Sequence, residues 1–161
     1  MTAAVVTVSD SVARGEREDR SGPATTEVLR QHGFKVEFHQ VLADDRGAIE
    51  DALVRLAERV RLVVTTGGTG IAERDVTPEA TRAVCWKLIE GIPEKMRVAG
   101  RESTPFAVLS RGVCGIRGRT LILNLPGSPA GAVDSLQSVI DILPHAIDLL
   151  DGKTGHGESE L

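Results

Sequence analysis

Apolar and polar positions along this chain switch between two periods, and the switches mark out its elements. The run Ala3-Ala4-Val5-Val6-Thr7-Val8 is apolar at nearly every position, as in a short strand buried on both faces. Ser9 to Arg20 is polar and charged and reads as a loop. Ser21 is placed as a helix cap with Pro23 in the first turn, and Val28 and Leu29 carry that helix to Gly33. Phe34, Val36 and Phe38 then alternate with Lys35 and Glu37, the period of a second strand reaching about Val41. After the turn Ala43-Asp44-Asp45-Arg46, the residues Ile49, Leu53, Leu56 and Val60 recur at helical spacing. Leu62 to Thr65 is a third strand. Thr77 is expected to cap the next helix, with Pro78 at its first position, and a further helix runs from Ile92 to near Arg101. Val113 to Ile116 is a candidate strand, Gly118-Arg119 a turn, and Thr120 to Asn124 a strand ended by Leu125 to Pro129. Val133, Leu136, Ile140, Leu143, Ile147 and Leu150 mark one long final helix.

Strands alternating with helices predict an α/β fold: a three-layer sandwich with a mostly parallel central sheet and helices on both faces. One domain is expected over residues 1–151, followed by a flexible tail over 152–161, rich in Gly and charge. In such sheets ligands bind outside the carboxyl ends of the strands. Four polar or glycine clusters fall at predicted strand ends: Ser9-Asp10, Asp44, Gly67 to Gly70, and Asn124 with Gly127 and Ser128. Parallel strands would bring all four to one rim.

The third cluster is the densest in chemistry. Val63 to Thr66 runs into Gly67-Gly68-Thr69-Gly70, followed by Arg74-Asp75 and Thr77-Pro78-Glu79. Glycines let backbone N–H groups approach a ligand closely, and consecutive N–H groups form anion-binding nests. A carboxylate beside phosphates in turn suggests a metal. No Gly-Lys-Ser/Thr follows, which excludes a Walker A loop, and Glu73 stands where a dinucleotide fingerprint needs its third glycine. Each feature also has a plain structural alternative. The glycines could form only a tight turn, Asp75 could favour a helix N-terminus, and Asp44-Asp45 could be an ordinary turn. Arg74 either contacts a phosphate or lies on the surface. Ser128 could simply cap a helix with Pro129 at its first position, although a cap and an anion site are compatible. Ser110-Arg111-Gly112 adds a hydroxyl and a cation.

Composition narrows the partners. The chain has 161 residues, 41% hydrophobic and 26% charged, enough for one core without staples. Aromatics are only 2%, the net charge is −4 and the pI is about 5.6, which argues against nucleic acid. Cys85 and Cys114 lack metal-ligand spacing and read as reduced, buried thiols. No secretion signal or membrane-spanning run is read, so a cytoplasmic location is expected. His32, His39, His145 and His156 show no catalytic or metal pattern.

At these residues the chain resembles molybdenum cofactor biosynthesis proteins of the MogA/MoaB type. The matching segments are Val8-Ser9-Asp10, Thr65 to Glu79, Leu109-Ser110-Arg111 and Leu123 to Pro129. The resemblance extends to about residue 150, and the same module is similar to the G domain of gephyrin-like proteins. It implies a molybdopterin adenylyltransferase, which moves AMP from ATP to the terminal phosphate of molybdopterin with Mg²⁺ and releases pyrophosphate. It also implies a homotrimer and hand-off of the product to a molybdenum insertase. The family's two functional aspartates map onto Asp44 and Asp75, which become the candidate catalytic and Mg²⁺-holding residues. Ala43 stands where a Pro often precedes the first acid, so Asp45 is an alternative. Candidate nucleotide- and substrate-binding residues are Ser9, Asp10, Gly67, Gly68, Thr69, Gly70, Arg74, Thr77, Glu79, Ser110, Arg111, Asn124, Pro126, Gly127 and Ser128.

The chemistry suits such a site. The attacking phosphate monoester has a second pKa of about 6, so it needs no strong general base. Positioning and charge neutralisation would carry the catalysis. The competing readings are a non-catalytic molybdopterin-binding scaffold of the same fold, and an insertase or competence-damage-type pyrophosphatase, which usually carry further domains.

Overall fold

The computed structural model describes residues 1–153. The elements follow in the order β1 (Thr2–Val8), α1 (Asp10–Ala13), α2 (Ser21–Gln31), β2 (Lys35–Leu42), α3 (Arg46–Ala57), β3 (Leu62–Thr66), α4 (Thr77–Val84) and β4 (Lys87–Leu88). Next come α5 (Gly91–Gly100), a 3-10 turn over Pro105–Leu109, β5 (Cys114–Arg117), β6 (Thr120–Leu125), α6 (Pro129–Val139) and α7 (Leu143–Leu150).

The apolar strands are the central ones. β1, β3 and β6 are buried almost throughout, whereas β2 alternates exposed and partly buried residues, as an edge strand should. The sheet order is β2-β1-β3-β6-β5-β4. The first four strands are parallel, with Val5 beside Val64 and Val64 beside Leu123. β5 runs antiparallel to β6, and β4 antiparallel to β5. Successive side chains of a strand point to opposite faces. Accordingly Ala3 and Val5 join Val28, Leu29, Met96 and Leu136 in one cluster, under α2, α5, α6 and α7. Ala4, Val6 and Val8 join Ile49, Leu53 and Leu56 in the other, under α3 and α4. This is the expected three-layer sandwich.

Several local expectations are corrected. Within Ser9–Arg20 there is a one-turn helix, α1, whose start is fixed by Ser9 Oγ accepting the Val12 N–H at 3.3 Å. Ser21 is not a cap: it is the first helical residue, and its hydroxyl lies 2.8 Å from Thr66 Oγ1, joining α2 to β3. Asp19 does the capping work instead, accepting the Gly22 N–H at 2.9 Å. Thr77 likewise lies inside α4, with Val76 at the cap position. The long final helix is two helices. Pro144 lacks an N–H and would collide with the carbonyl four residues earlier, so the chain breaks after Val139 and restarts at Leu143. The two-residue strand β4 is too short to leave a periodic signal. Of the expected tail, residues 154–161, including His156, lie outside the described residues.

Candidate active site

β1 connects to β2 on one side of the sheet, and the chain then crosses to place β3 on the other. The carboxyl ends of β1 and β3 therefore diverge at a topological switch point, where open α/β sheets form their binding crevice. A cleft of about 750 Å³ opens there. Its walls come from all four parallel strand ends: Ser9 and Asp10, Asp44, Gly67 and Gly68 with Arg74 and Asp75, and Gly127 and Ser128.

The floor requires glycine. Gly67 has φ +91° and Gly68 φ +66°, backbone that side chains disfavour. A β-carbon on Gly67 would collide with the Val8 carbonyl oxygen, and one on Gly68 with Thr77 Oγ1. The loop is then tied down by Thr77, whose hydroxyl donates to the Gly67 carbonyl at 3.0 Å and whose N–H donates to the Gly68 carbonyl at 3.1 Å. This tertiary use of Thr77 explains why it does not cap its helix.

Acids frame the cleft. Asp10 and Asp44 exchange bonds: the Asp10 N–H donates to Asp44 Oδ2 at 3.0 Å, and the Asp44 N–H donates to Asp10 Oδ1 at 2.8 Å. Asp10 also pairs with Arg74 at 3.2 Å. Burial raises the Asp44 pKa above the usual aspartate value, and the neighbouring charges of Asp10 and Asp75 add to the rise, against the Asp10 N–H bond and Arg74. Asp75 Oδ2 accepts the Ala72 N–H at 3.0 Å, folding the loop around its own carboxylate. Asp45 points elsewhere: it caps α3, accepting the Ala48 N–H at 2.8 Å.

Among the described residues no group of three or more His, Cys, Asp or Glu is arranged to hold a metal. Asp44 and Asp75 nevertheless line one cleft and their charges repel. That suits Mg²⁺, which takes one or two carboxylates and completes its shell with phosphate oxygens and water.

The remaining predicted residues divide. Ser110, Pro126 and Ser128 line a second, more apolar cavity of about 300 Å³ beside Met96 and Phe106. Ser128 lines both cavities, and its Oγ caps α6 by accepting the Gly131 N–H at 3.1 Å. Thr69, Thr77 and Asn124 are buried. Asn124 uses its amide internally, donating to Thr65 Oγ1 at 3.0 Å and Thr81 Oγ1 at 2.9 Å and accepting the Val113 N–H at 3.1 Å. It braces β6 to β3 and α4, away from the cleft. Glu79 and Arg111 pair with each other, and Arg111 also holds the carbonyl of Gly70.

Residues the sequence reading passed over are Thr7, Arg17, Asp19, Arg20 and Ser21, all on the cleft wall. Three of them, Arg17, Asp19 and Arg20, lie in the β1–α2 connection, which the carboxyl-end rule also covers; reading Ser9–Arg20 as one undifferentiated loop hid them. Asp19 Oδ2 accepts from Thr7 Oγ1 at 2.8 Å and lies 3.0 Å from His39 Nε2, so His39 serves as a brace.

Known proteins share this sequence pattern and this fold. A family profile described as a probable molybdopterin binding domain matches residues 4–145. The molybdopterin adenylyltransferase of Helicobacter pylori strain J99 is 43% identical over 152 residues, 92% of this chain and 86% of that protein. Gephyrin of Dictyostelium discoideum is 34% identical over 160 residues, 92% of this chain but 22% of gephyrin. The crystal structure of the molybdopterin biosynthesis enzyme MoaB from Thermus thermophilus superposes with a TM-score of 0.89 at 48% identity, covering 94% of this chain and 97% of that one. A profile match spanning both cavities, an adenylyltransferase matched over 86% of its length and a solved MoaB of the same fold lead to one assignment: the chain belongs to the molybdenum cofactor biosynthesis family of molybdopterin-binding domains.

Proposed function

We propose that this chain is a molybdopterin adenylyltransferase, a nucleotidyltransferase of molybdenum cofactor biosynthesis. The reading is carried by one observation: Asp44 and Asp75 line a single cleft over a glycine floor at the switch point, in a chain 43% identical to a molybdopterin adenylyltransferase. In the reaction an oxygen of the molybdopterin terminal phosphate bonds to the α-phosphorus of ATP. The bond from that phosphorus to the β-phosphate oxygen breaks, and pyrophosphate leaves. Asp44 and Asp75 would hold Mg²⁺, which when bound neutralises phosphate charge. The Gly68 N–H would meet phosphate oxygens, the Gly67 N–H being taken by the Leu125 carbonyl at 3.1 Å, and Arg74, Arg17 and Arg20 add positive charge along the wall. The acids need not act as bases, because the attacking phosphate is already largely anionic at neutral pH.

The second cavity suits the pterin. It is more apolar, carries the Ser110 hydroxyl, and meets the cleft at Ser128, so a pterin lying there would direct its phosphate towards the nucleotide. We also propose a homotrimer acting in the cytoplasm, without nucleic acid, that hands its product to an insertase. No described helix is long and apolar enough to cross a membrane. Val98, Phe106, Val108 and Leu109 are exposed on α5 and the 3-10 turn and offer an apolar face for self-association.

The test supplies molybdopterin, Mg²⁺ and labelled ATP and follows adenylylated product and pyrophosphate. Asp75→Asn keeps an oxygen for the Ala72 N–H, so it should melt near wild type yet lose about 10²-fold or more in turnover. Unchanged turnover would sink the role given to Asp75. Molybdopterin binding without any transfer by the wild type would favour the scaffold reading.

A further inference from the structure

One charged pair beside the cleft is more elaborate than a surface ion pair requires. Arg111 does not line the cleft. Its backbone N–H donates to the Thr69 carbonyl at 2.8 Å, its Nε to the Gly70 carbonyl at 2.8 Å, and its Nη2 to the Asp75 carbonyl at 2.8 Å, while Nη1 pairs with Glu79. One side chain thus grips both ends of the 70–75 bulge, and Glu79 at the start of α4 completes its coordination. The segment that carries Arg111 is anchored too: Arg97 of α5 donates to the carbonyls of Ser110 and Gly112, each at 3.3 Å.

We propose that Arg111, with Glu79, is a positioning clamp that holds the 70–75 loop closed so that the Asp75 carboxylate stays aimed into the cleft. The inference rests on the adenylyltransferase reading for its consequence, but not for its geometry. Both side chains are 38% exposed, so the pair contributes little to global stability, and its effect is local. Only a guanidinium reaches these acceptors together. Its donors are fixed in one plane, whereas a lysine is a single point charge on a flexible stem. The Arg111 hydrogen bond holds the Glu79 carboxyl below the usual glutamate range, so the pair stays charged across the neutral range. Arg111 and Glu79, which the family resemblance marks as candidate substrate ligands, are in this view one step removed from the substrate.

The test compares Arg111→Lys and Glu79→Gln with wild type. Arg111→Lys should melt within a few degrees of wild type and keep its KM for ATP. It should lose about 10-fold or more in kcat and need a higher Mg²⁺ concentration for half-maximal rate, because Asp75 is no longer fixed. Glu79→Gln should show the same pattern more weakly. A raised KM with unchanged kcat would make Arg111 a substrate ligand and overturn the proposal. So would a large loss of melting temperature with normal kcat per folded molecule. A second readout is independent of activity. In Arg111→Lys the Ala72 amide, which donates to Asp75, should exchange with deuterium about 10-fold or more faster, while α6 amides are unchanged. Equal protection at Ala72 would overturn the clamp even if the wild type proved inactive. Faster exchange in Arg111→Lys beside an inactive wild type would keep the clamp and remove the function reading.

Discussion

Two adjacent aspartates show how far a residue's neighbours in sequence define its task. Asp44 and Asp45 are the same residue type in one turn, and the family pattern leaves a one-residue ambiguity between them. Backbone direction separates them: Asp45 turns back to cap α3, whereas Asp44 exchanges hydrogen bonds with Asp10 across the ends of β1 and β2. The contact that distinguishes them spans from residue 10 to residue 44, so no local pattern carries it. Asp45→Ala removes a cap and should cost about 1 kcal/mol, read as a lowered melting temperature with turnover kept. Asp44→Asn should do the opposite. Its folded-state pKa is raised, so the folded protein holds that proton more tightly than the unfolded chain does. The stability this provides is present at low pH and is lost as pH rises through the raised value, leaving the ionised acid a net cost at neutral pH. Asp44→Asn should therefore melt at or above the wild-type temperature at pH 7 while losing turnover. A clear fall in melting temperature would contradict the electrostatic account.

At the scale of elements, the strands were legible because β-branched runs and alternation are local signals, and the carboxyl-end rule correctly gathered Ser9, Asp10, Asp44, Gly67, Gly68, Gly127 and Ser128 at one cleft. Helix starts were less legible. Ser21 and Thr77 have the chemistry of caps, yet their hydroxyls bond to Thr66 and to the Gly67 carbonyl. Asn124 has the chemistry of a ligand, yet three buried partners consume it. In each case a long-range contact outcompeted the local one. The glycine turn combines the two kinds of signal, because its φ is local and its crowding is not. Gly67→Ala would meet both the positive-φ cost of about 1–2 kcal/mol and a collision with the Val8 carbonyl oxygen, whose strand end is paired with Leu42 of β2. The expected loss exceeds the conformational cost alone, at about 3 kcal/mol or more. It would be measured by urea unfolding, and a loss near 1 kcal/mol would mean that the turn relaxes freely.

Across the described residues two apolar clusters are separated by one sheet, and Cys114 reports on the larger of them. Cys114 is 1% exposed and lies in the same cluster as Leu136 of α6, and burial pushes its thiol up to about 12. Cys85 lies at the end of α4 and is only partly buried, with its thiol raised to about 11, so it can react through a smaller local opening. In a Cys85→Ser background, labelling of Cys114 by a thiol reagent therefore requires the sheet to open, and its rate follows the population of the open state when reclosing is fast. Leu136 is fully buried, and Leu136→Ala should cost about 2–5 kcal/mol through lost burial and a residual cavity. Labelling of Cys114 should then accelerate by about 30-fold or more, since each 1.4 kcal/mol is tenfold. The same substitution should leave the ATP KM unchanged below the unfolding transition, because Leu136 lines neither cavity. If Cys114 labelling did not respond to Leu136→Ala, the β5–β4 end of the sheet would open separately from the cluster beneath it, and the domain would not unfold as one cooperative unit.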